Sequence, residues 1–248
     1  MNNQTKNFSN KISIIIPAYN EEKNLPRVIN SLRVQDPKNF EIIVVDNNST
    51  DNTFKVAKNL ADKVYKCKKQ GISYARNYGA KKAKTEIIAF LDADSLAYPN
   101  WVNLVSEAFK DKKLTLISGV GVYENNSLIR RIILNIFSYI IFYCGKIQNW
   151  FGIPTLIANN MAIRKKLFEK VGGFDHYVVE DYYLSLKLRK IKNIRTIMDS
   201  KMKVEYSSRR IDKIGIIASW KVWLLAILKK IPSEEYTLQM DCRKLVAI

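Results

Sequence analysis

Three apolar runs, each ending in a polar cluster and the first two followed by segments of helical period, constrain this chain more than any other feature. Ile12-Ser13-Ile14-Ile15-Ile16, Glu41-Ile42-Ile43-Val44-Val45 and Ile87-Ile88-Ala89-Phe90-Leu91 lack the polar alternation of a half-exposed strand. Runs of this kind form strands covered on both faces, as in parallel sheets. Between the first two, residues 21–34 carry Leu25, Val28, Ile29 and Leu32 at helical spacing. Residues 53–60 and 72–82 predict two more helices, with a short strand over 63–66. Strand and helix in repetition specify a parallel sheet with right-handed crossovers. The first strand is expected to stop at Pro17, because proline donates no ladder bond.

Past residue 98 the pattern loosens. Residues 114–122 read as a strand in which Gly119 and Gly121 permit close backbone approach. A helix is expected over the uncharged stretch 132–145, a strand over 155–163 and a helix over 179–190. Short strands at 194–198 and 202–206 and a final helix at 211–230 complete the sequence. No linker rich in Gly, Pro or Ser interrupts this order, so one compact α/β domain over 11–210 is expected. A flexible N-terminus (1–10) would precede it and a C-terminal amphipathic helix and tail (211–248) would follow.

Charge narrows the partners. There are 41 Lys and Arg against 23 Asp and Glu, a formal charge of +18. Such a balance suits nucleic acid, an anionic membrane face or phosphorylated substrates. No base-reading motif accompanies it, so nucleic acid is not expected as a partner. Cys67, Cys144 and Cys242 are odd in number and lack metal-ligand spacing, which makes a reducing, intracellular setting the default. The polar residues 1–10 lack the apolar core of a signal peptide. The stretch 132–145 is shorter than the roughly 20 residues of a spanning helix. With Arg130 and Arg131 before it, and with Trp220 and Trp223 among the lysines and aliphatics of 211–230, it suits an interfacial position on an anionic membrane. Core packing is the competing reading for both segments.

Chemistry is concentrated where the strands end, the side on which open α/β sheets bind ligands. Pro17-Ala18-Tyr19-Asn20-Glu21 offers backbone amides and a stacking ring, or else an ordinary turn with Asn20 as helix cap. Asp46 could accept from a base N–H, and the residues after it carry turn and capping chemistry. Arg76 could reach a pyrophosphate or steady Asp92. Asp92-Ala93-Asp94 could hold a hard divalent cation and its phosphate ligands, or form a solvated turn. Glu180-Asp181 at the head of a helix suits its positive dipole end as well as catalysis. Arg209 and Arg210 suit either a phosphate clamp or basic surface. His176, the single histidine, reads as a loop residue.

Taken in order, P-A-Y-N-E, D-N-N-S-T-D, G-I-S-Y-A-R-N, F-L-D-A-D, then Asn160-Met161-Ala162-Ile163-Arg164-Lys165, Gly172-Gly173-Phe174-Asp175 and Val179-Glu180-Asp181 resemble the family-2 glycosyltransferases. The resemblance covers about residues 11–210. It implies a single GT-A-type, Rossmann-like domain with a mostly parallel, mixed central sheet flanked by helices. Residues 11–98 would be the nucleotide-sugar half and 99–210 the acceptor half. It implies inverting transfer from a nucleoside-diphosphate sugar to an acceptor hydroxyl on a lipid-linked or membrane-proximal glycan. Pro17, Tyr19, Glu21, Asp46, Arg76, Asp92, Arg209 and Arg210 would bind the donor. Asp94, with Asp92, would hold Mg2+ or Mn2+. Asp181 would be the general base, supported by Glu180. Some relatives add a late histidine ligand, but here that region reads Val204-Glu205-Tyr206-Ser207-Ser208. The setting would be the cytoplasmic face of the cell membrane. A polyprenyl-phosphate sugar synthase, whose lipid-phosphate acceptor needs no base, is the alternative enzyme. A sugar-phosphate nucleotidyltransferase would ordinarily show a glycine-rich loop after the first strand, and P-A-Y-N-E is not one.

Overall fold

A computed structural model describes residues 11–36, 39–125 and 127–208, with positions 211, 215, 221 and 225. Eight strands form one sheet. They are β1 (Ile12–Ala18), β2 (Phe40–Asp46), β3 (Lys63–Lys66), β4 (Ile87–Leu91), β5 (Leu96–Ala97), β6 (Leu114–Tyr123), β7 (Asn160–Arg164) and β8 (Arg195–Tyr206), in the spatial order β3-β2-β1-β4-β7-β6-β8-β5. The first four pair parallel, β7 runs antiparallel to β4 and β6, and β8 is parallel to β6. Helices α1 (Leu25–Arg33), α2 (Thr53–Leu60), α3 (Ile72–Lys82), α4 (Trp101–Ala108), α5 (Leu128–Trp150), α6 (Lys165–Lys170) and α7 (Glu180–Arg189) complete the domain. The sheet is mixed and mostly parallel, as expected.

The unbroken apolar runs now have a cause. Side chains alternate across a strand, and each face of this sheet has its own core. Ile12, Ile14, Ile16, Ile42, Val44, Ile87 and Ala89 pack with α1 and α4. Ile15, Ile43, Val45, Ile88 and Phe90 pack on the other side with Ala75 of α3, Phe168 of α6 and Leu184 of α7.

β1 continues through Pro17 to Ala18 instead of stopping. Ile12 donates to the β2 side and Ala18 accepts from it, so alternation points the Pro17 nitrogen toward β4. The β1–β4 ladder has ended by then, at Ile15 and Phe90. Proline therefore removes no hydrogen bond. α1 begins at Leu25, not at residue 21, because Pro26 sits in its first turn and residues 22–24 form a separate turn.

Other expectations change in the second half. β7 begins at Asn160 rather than 155, because the Asn149 side chain takes both backbone groups of Thr155 (3.1 Å each). The two short strands at 194–206 are one strand, β8, interrupted where Lys201 N–H donates to Asp199 Oδ1 (2.8 Å). α5 spans 23 residues, well beyond the uncharged stretch, with Ser127 as its N-cap. A Cβ on Gly119 would lie 1.8 Å from the Met202 carbonyl oxygen, and one on Gly121 would lie 1.7 Å from the Tyr206 ring. Both glycines therefore permit the close approach of β6 and β8. Most of the segment 211–248 lies outside the described residues, as do residues 1–10.

Candidate active site

The C-terminal ends of β1, β2 and β4 deliver three polar loops to one edge of the sheet. The first two loops brace each other. Asn20, at φ 55°, donates its N–H to Ser49 Oγ (3.0 Å) and accepts from Thr50 N–H (2.8 Å). Glu21 N–H donates to Thr53 Oγ1 (2.7 Å), and Glu22 Oε2 accepts from Asn52 N–H (3.0 Å). Asn20 thus ties loop to loop rather than capping α1, whose cap is Asn24. Asparagine tolerates this left-handed backbone well. Pro17 is buried in β1 and Asp46 is buried at the end of β2, where Oδ1 accepts from Ser49 N–H (3.2 Å). Tyr19 is 40% exposed, leaving its ring open to a stacking partner. The neighbouring Asn47 accepts from Gly71 N–H (2.8 Å) and donates to the Lys69 carbonyl (2.7 Å), fixing the entrance to α3.

Arg76 occupies the centre. Its guanidinium is buried and bonded to both Asp92 and Glu180. Burial works against its charge, but Asp92 and Glu180 outweigh this and raise its pKa. The two acids come from different halves of the chain, Asp92 from the end of β4 and Glu180 from the first turn of α7. Arg76 thus steadies Asp92, one of its two expected roles, and Glu180 faces the guanidinium. Burial pushes Glu180 up to about 7 despite Arg76, with Asp181 adding repulsion. Burial also raises Asp181, which accepts from Tyr182 N–H (2.8 Å). Three carboxylates around one guanidinium favour retaining a proton in the cluster.

Asp94 lies two residues beyond Asp92, half-buried. Among the described residues no group of three or more His, Cys, Asp or Glu could hold a metal ion. The Asp92–Asp94 pair supplies hard oxygen donors only, which suits Mg2+ or Mn2+ if a ligand's phosphate oxygens and water complete the shell. Arg209 and Arg210 lie outside the described residues. His176 stacks on Tyr74 with ring centroids 3.5 Å apart, consistent with a packed loop residue.

Two residues quoted in the sequence were given no role of their own there. Tyr206 ends β8, and its hydroxyl donates to Asn159 Oδ1 (2.8 Å) while its ring lies against Gly121. Burial holds its pKa well above the ordinary range, helped by Tyr123, Asp92 and Asp181, and its partner Asn159 precedes Asn160, which pairs with Leu91 just before Asp92. The glycine spacing in β6 was the available signal. The second is Asn160, whose amide donates to the Val120 and Met202 carbonyls while Oδ1 accepts from Trp101 Nε1 (2.8 Å). It stitches α4, β6, β7 and β8 together behind the site, a role that no local pattern marks.

The family model described as glycosyl transferase family 2 matches residues 13–172. Among curated proteins, the chain is 29% identical over 194 residues to the Escherichia coli UDP-Glc:alpha-D-GlcNAc-diphosphoundecaprenol beta-1,3-glucosyltransferase WfgD, covering 75% of this chain and 72% of that one. It is 33% identical over 119 residues to the glycosyltransferase AglE of Haloferax volcanii, covering 45% and 36%. A Rickettsia conorii glycosyltransferase is matched over only 16% of its length. The chain thus spans well under half of these last two relatives. In solved structures, the Pyrobaculum calidifontis mannosyltransferase PcManGT, in complex with GDP-Man and Mn2+, shares the fold at TM-score 0.66 and 20% identity, with 96% of this chain and 70% of that one covered. S. aureus TarS 1-349 shares it at TM-score 0.61 and 23% identity, with 87% and 65% covered.

Proposed function

The chain belongs to glycosyl transferase family 2, and from that premise we propose that it transfers a sugar from a nucleoside diphosphate to an acceptor hydroxyl with inversion. The observation that carries this reading is the meeting of Asp92, Arg76, Glu180 and Asp181 at the edge where the loops after β1 and β2 also end. Tyr19, Glu21 and Asp46, with Pro17 behind them, line the nucleoside side. Asp181 is the general base. Its raised proton affinity suits it to take the proton of the acceptor hydroxyl. The acceptor oxygen then bonds to the anomeric carbon as the bond to the nucleoside diphosphate breaks, with no covalent enzyme intermediate. Glu180 holds Arg76, and Arg76 holds Asp92 in place for the donor. Arg209 and Arg210 are assigned to the diphosphate on sequence alone. Asp94 and Asp92 would hold Mg2+ or Mn2+, which would supply charge neutralisation on the departing diphosphate.

We assign the acceptor to a glycan on a lipid carrier, at the cytoplasmic face of the cell membrane. The related WfgD, whose name specifies a diphosphoundecaprenol acceptor, supports that choice. UDP-, GDP- and dTDP-sugars assayed for nucleoside diphosphate release, with and without Mn2+, test the proposal. Release with one donor that is lost in Asp94→Ala supports it. Indifference to both metal and Asp94→Ala would refute the metal-assisted mechanism. Near-normal turnover in Asp181→Asn would replace the hydroxyl acceptor with a lipid phosphate, which needs no base.

A further inference from the structure

α5 is apolar on both sides, and only one side has a partner among the described residues. Leu134, Phe142 and Gly145 are buried, with Phe142 packed against Val120 of β6 and Met198 of β8. Ser138 Oγ–H donates to the Gly121 carbonyl (2.5 Å), and the Asn135 amide takes both backbone groups of Tyr123. The opposite side presents Ile129 (72% exposed), Ile136 and Ile140. Trp150 and Phe151, at 85% and 75% exposure, close the helix. A helix apolar all round is ordinarily buried, so this outward face has an occupant.

Charge and aromatic placement identify it. Residues 128–150 contain no Asp or Glu, while Arg130 and Arg131 lie in the first turn and Lys146 in the last two. Aromatic rings at a helix end and basic residues flanking an aliphatic face are the anchors of a helix lying at a bilayer surface. The chain's charge of +18 complements anionic headgroups. Length and composition alone would also let α5 cross a bilayer. Its polar bonds to β6 argue against that, since crossing would carry the sheet's backbone and loops into hydrocarbon.

We propose that α5 lies in the plane of an anionic bilayer, outward face down, and sets the height of the active site above the lipid. At its N-terminal end, Asn125 Nδ2 donates to Ser208 Oγ (3.4 Å), and Tyr123 meets Tyr206 edge-on at 5.7 Å. The Tyr206 hydroxyl donates to Asn159, whose neighbour Asn160 pairs with Leu91, the residue before Asp92. The membrane-facing helix therefore starts next to the reaction centre, which presents that centre to an acceptor carried at headgroup level. This last step rests on the transfer reaction proposed above; the membrane contact does not.

Flotation of the full chain with vesicles of phosphatidylcholine, with and without phosphatidylglycerol, tests the contact without any donor. The expected result is salt-sensitive binding to the anionic vesicles, reduced at least about tenfold in Ile129→Glu/Ile136→Glu/Ile140→Glu, since burial of the apolar face drives insertion. The thermal midpoint should stay unchanged, because these side chains face away from the core. Ile129→Ser/Ile136→Ser serves as a milder variant should the triple one misfold. Failure of the wild-type chain to bind, or undiminished binding by the variants, overturns the proposal. A wild-type dimer that the variants convert to monomer also overturns it and gives the face to a second copy. Vesicle binding without nucleotide-sugar turnover would sink the proposed reaction and leave the membrane contact standing.

Discussion

The proposed donor side of the site and its proposed acceptor side are built on opposite plans. Around β1 and β2, side chains bond backbone groups of the neighbouring loop: Asn20 with Ser49 and Thr50, Glu22 with Asn52, Asn47 with Gly71. These bonds brace the loops to which the nucleoside is assigned, independently of any ligand. Around β6, β8 and α5 the surface is aromatic and aliphatic, and α5 turns a row of isoleucines outward. One side is pre-organised by its own polar groups; the other relies on packing. Preorganisation reduces the ordering cost of binding a small donor, whereas the carrier-bound acceptor proposed above would be positioned by the surface that carries it.

Arg76 joins the two plans, and removing it should do the most damage. Arg76→Ala leaves Asp92 and Glu180 without their buried partner and is expected to cost about 3–5 kcal/mol in denaturant unfolding. Donor turnover should fall with it. Retention of both stability and turnover would break the picture of a shared centre. Next comes Gly121→Ala, whose methyl group would meet the Tyr206 ring. Overpacking of this kind costs about 1–3 kcal/mol, and the damage should appear in acceptor KM more than in nucleotide binding.

A pH titration follows. Glu180 is raised to about 7 and Asp181 is also raised, so in the native state both bind protons more tightly than in the unfolded chain. Their contribution to stability is therefore full below the unfolded pKa values near 4, and that of Glu180 is lost as pH rises through about 7. The thermal midpoint should decline over that window, and Glu180→Gln should flatten the decline. The smallest effect belongs to the donor loops. Ser49→Ala removes one exposed partner of Asn20 and should cost about 1 kcal/mol or less, with weaker nucleotide binding in calorimetry and little change in acceptor KM.

The same contrast explains what could be read in advance. The strands β3 and β4 and the helices α2 and α3 have the limits expected from the sequence: burial on both faces leaves β4 an unbroken apolar run, and short crossovers bound the partly exposed edge strand β3. α4 and α6 were not foreseen. Trp101 and Phe168 anchor these helices through contacts with distant strands, so a window of eight or six residues carries little periodic signal. Splitting β8 in two mistook an irregularity at Asp199 and Lys201 for a loop. In the site, the acids were legible as types at strand and helix ends. Their grouping was not, since Arg76 and Glu180 stand 104 positions apart and nothing local links them. Tyr206 was passed over because its position matters only with glycine opposite.

That separation bears on how the molecule comes into being. During synthesis β1 to β4 emerge with α3 among them, and Arg76 is then an interior cation lacking one of its two counter-ions. Translation must continue 104 residues beyond it before Glu180 exists. The N-terminal half alone therefore lacks one counter-ion of its buried arginine and is expected to fold poorly by itself. Its cooperative closure waits on a non-local contact, the slow class of folding event. Ribosome-bound chains stalled before residue 180 should be protease-sensitive and held by chaperones, and those stalled far enough beyond it to free α7 from the exit tunnel should not.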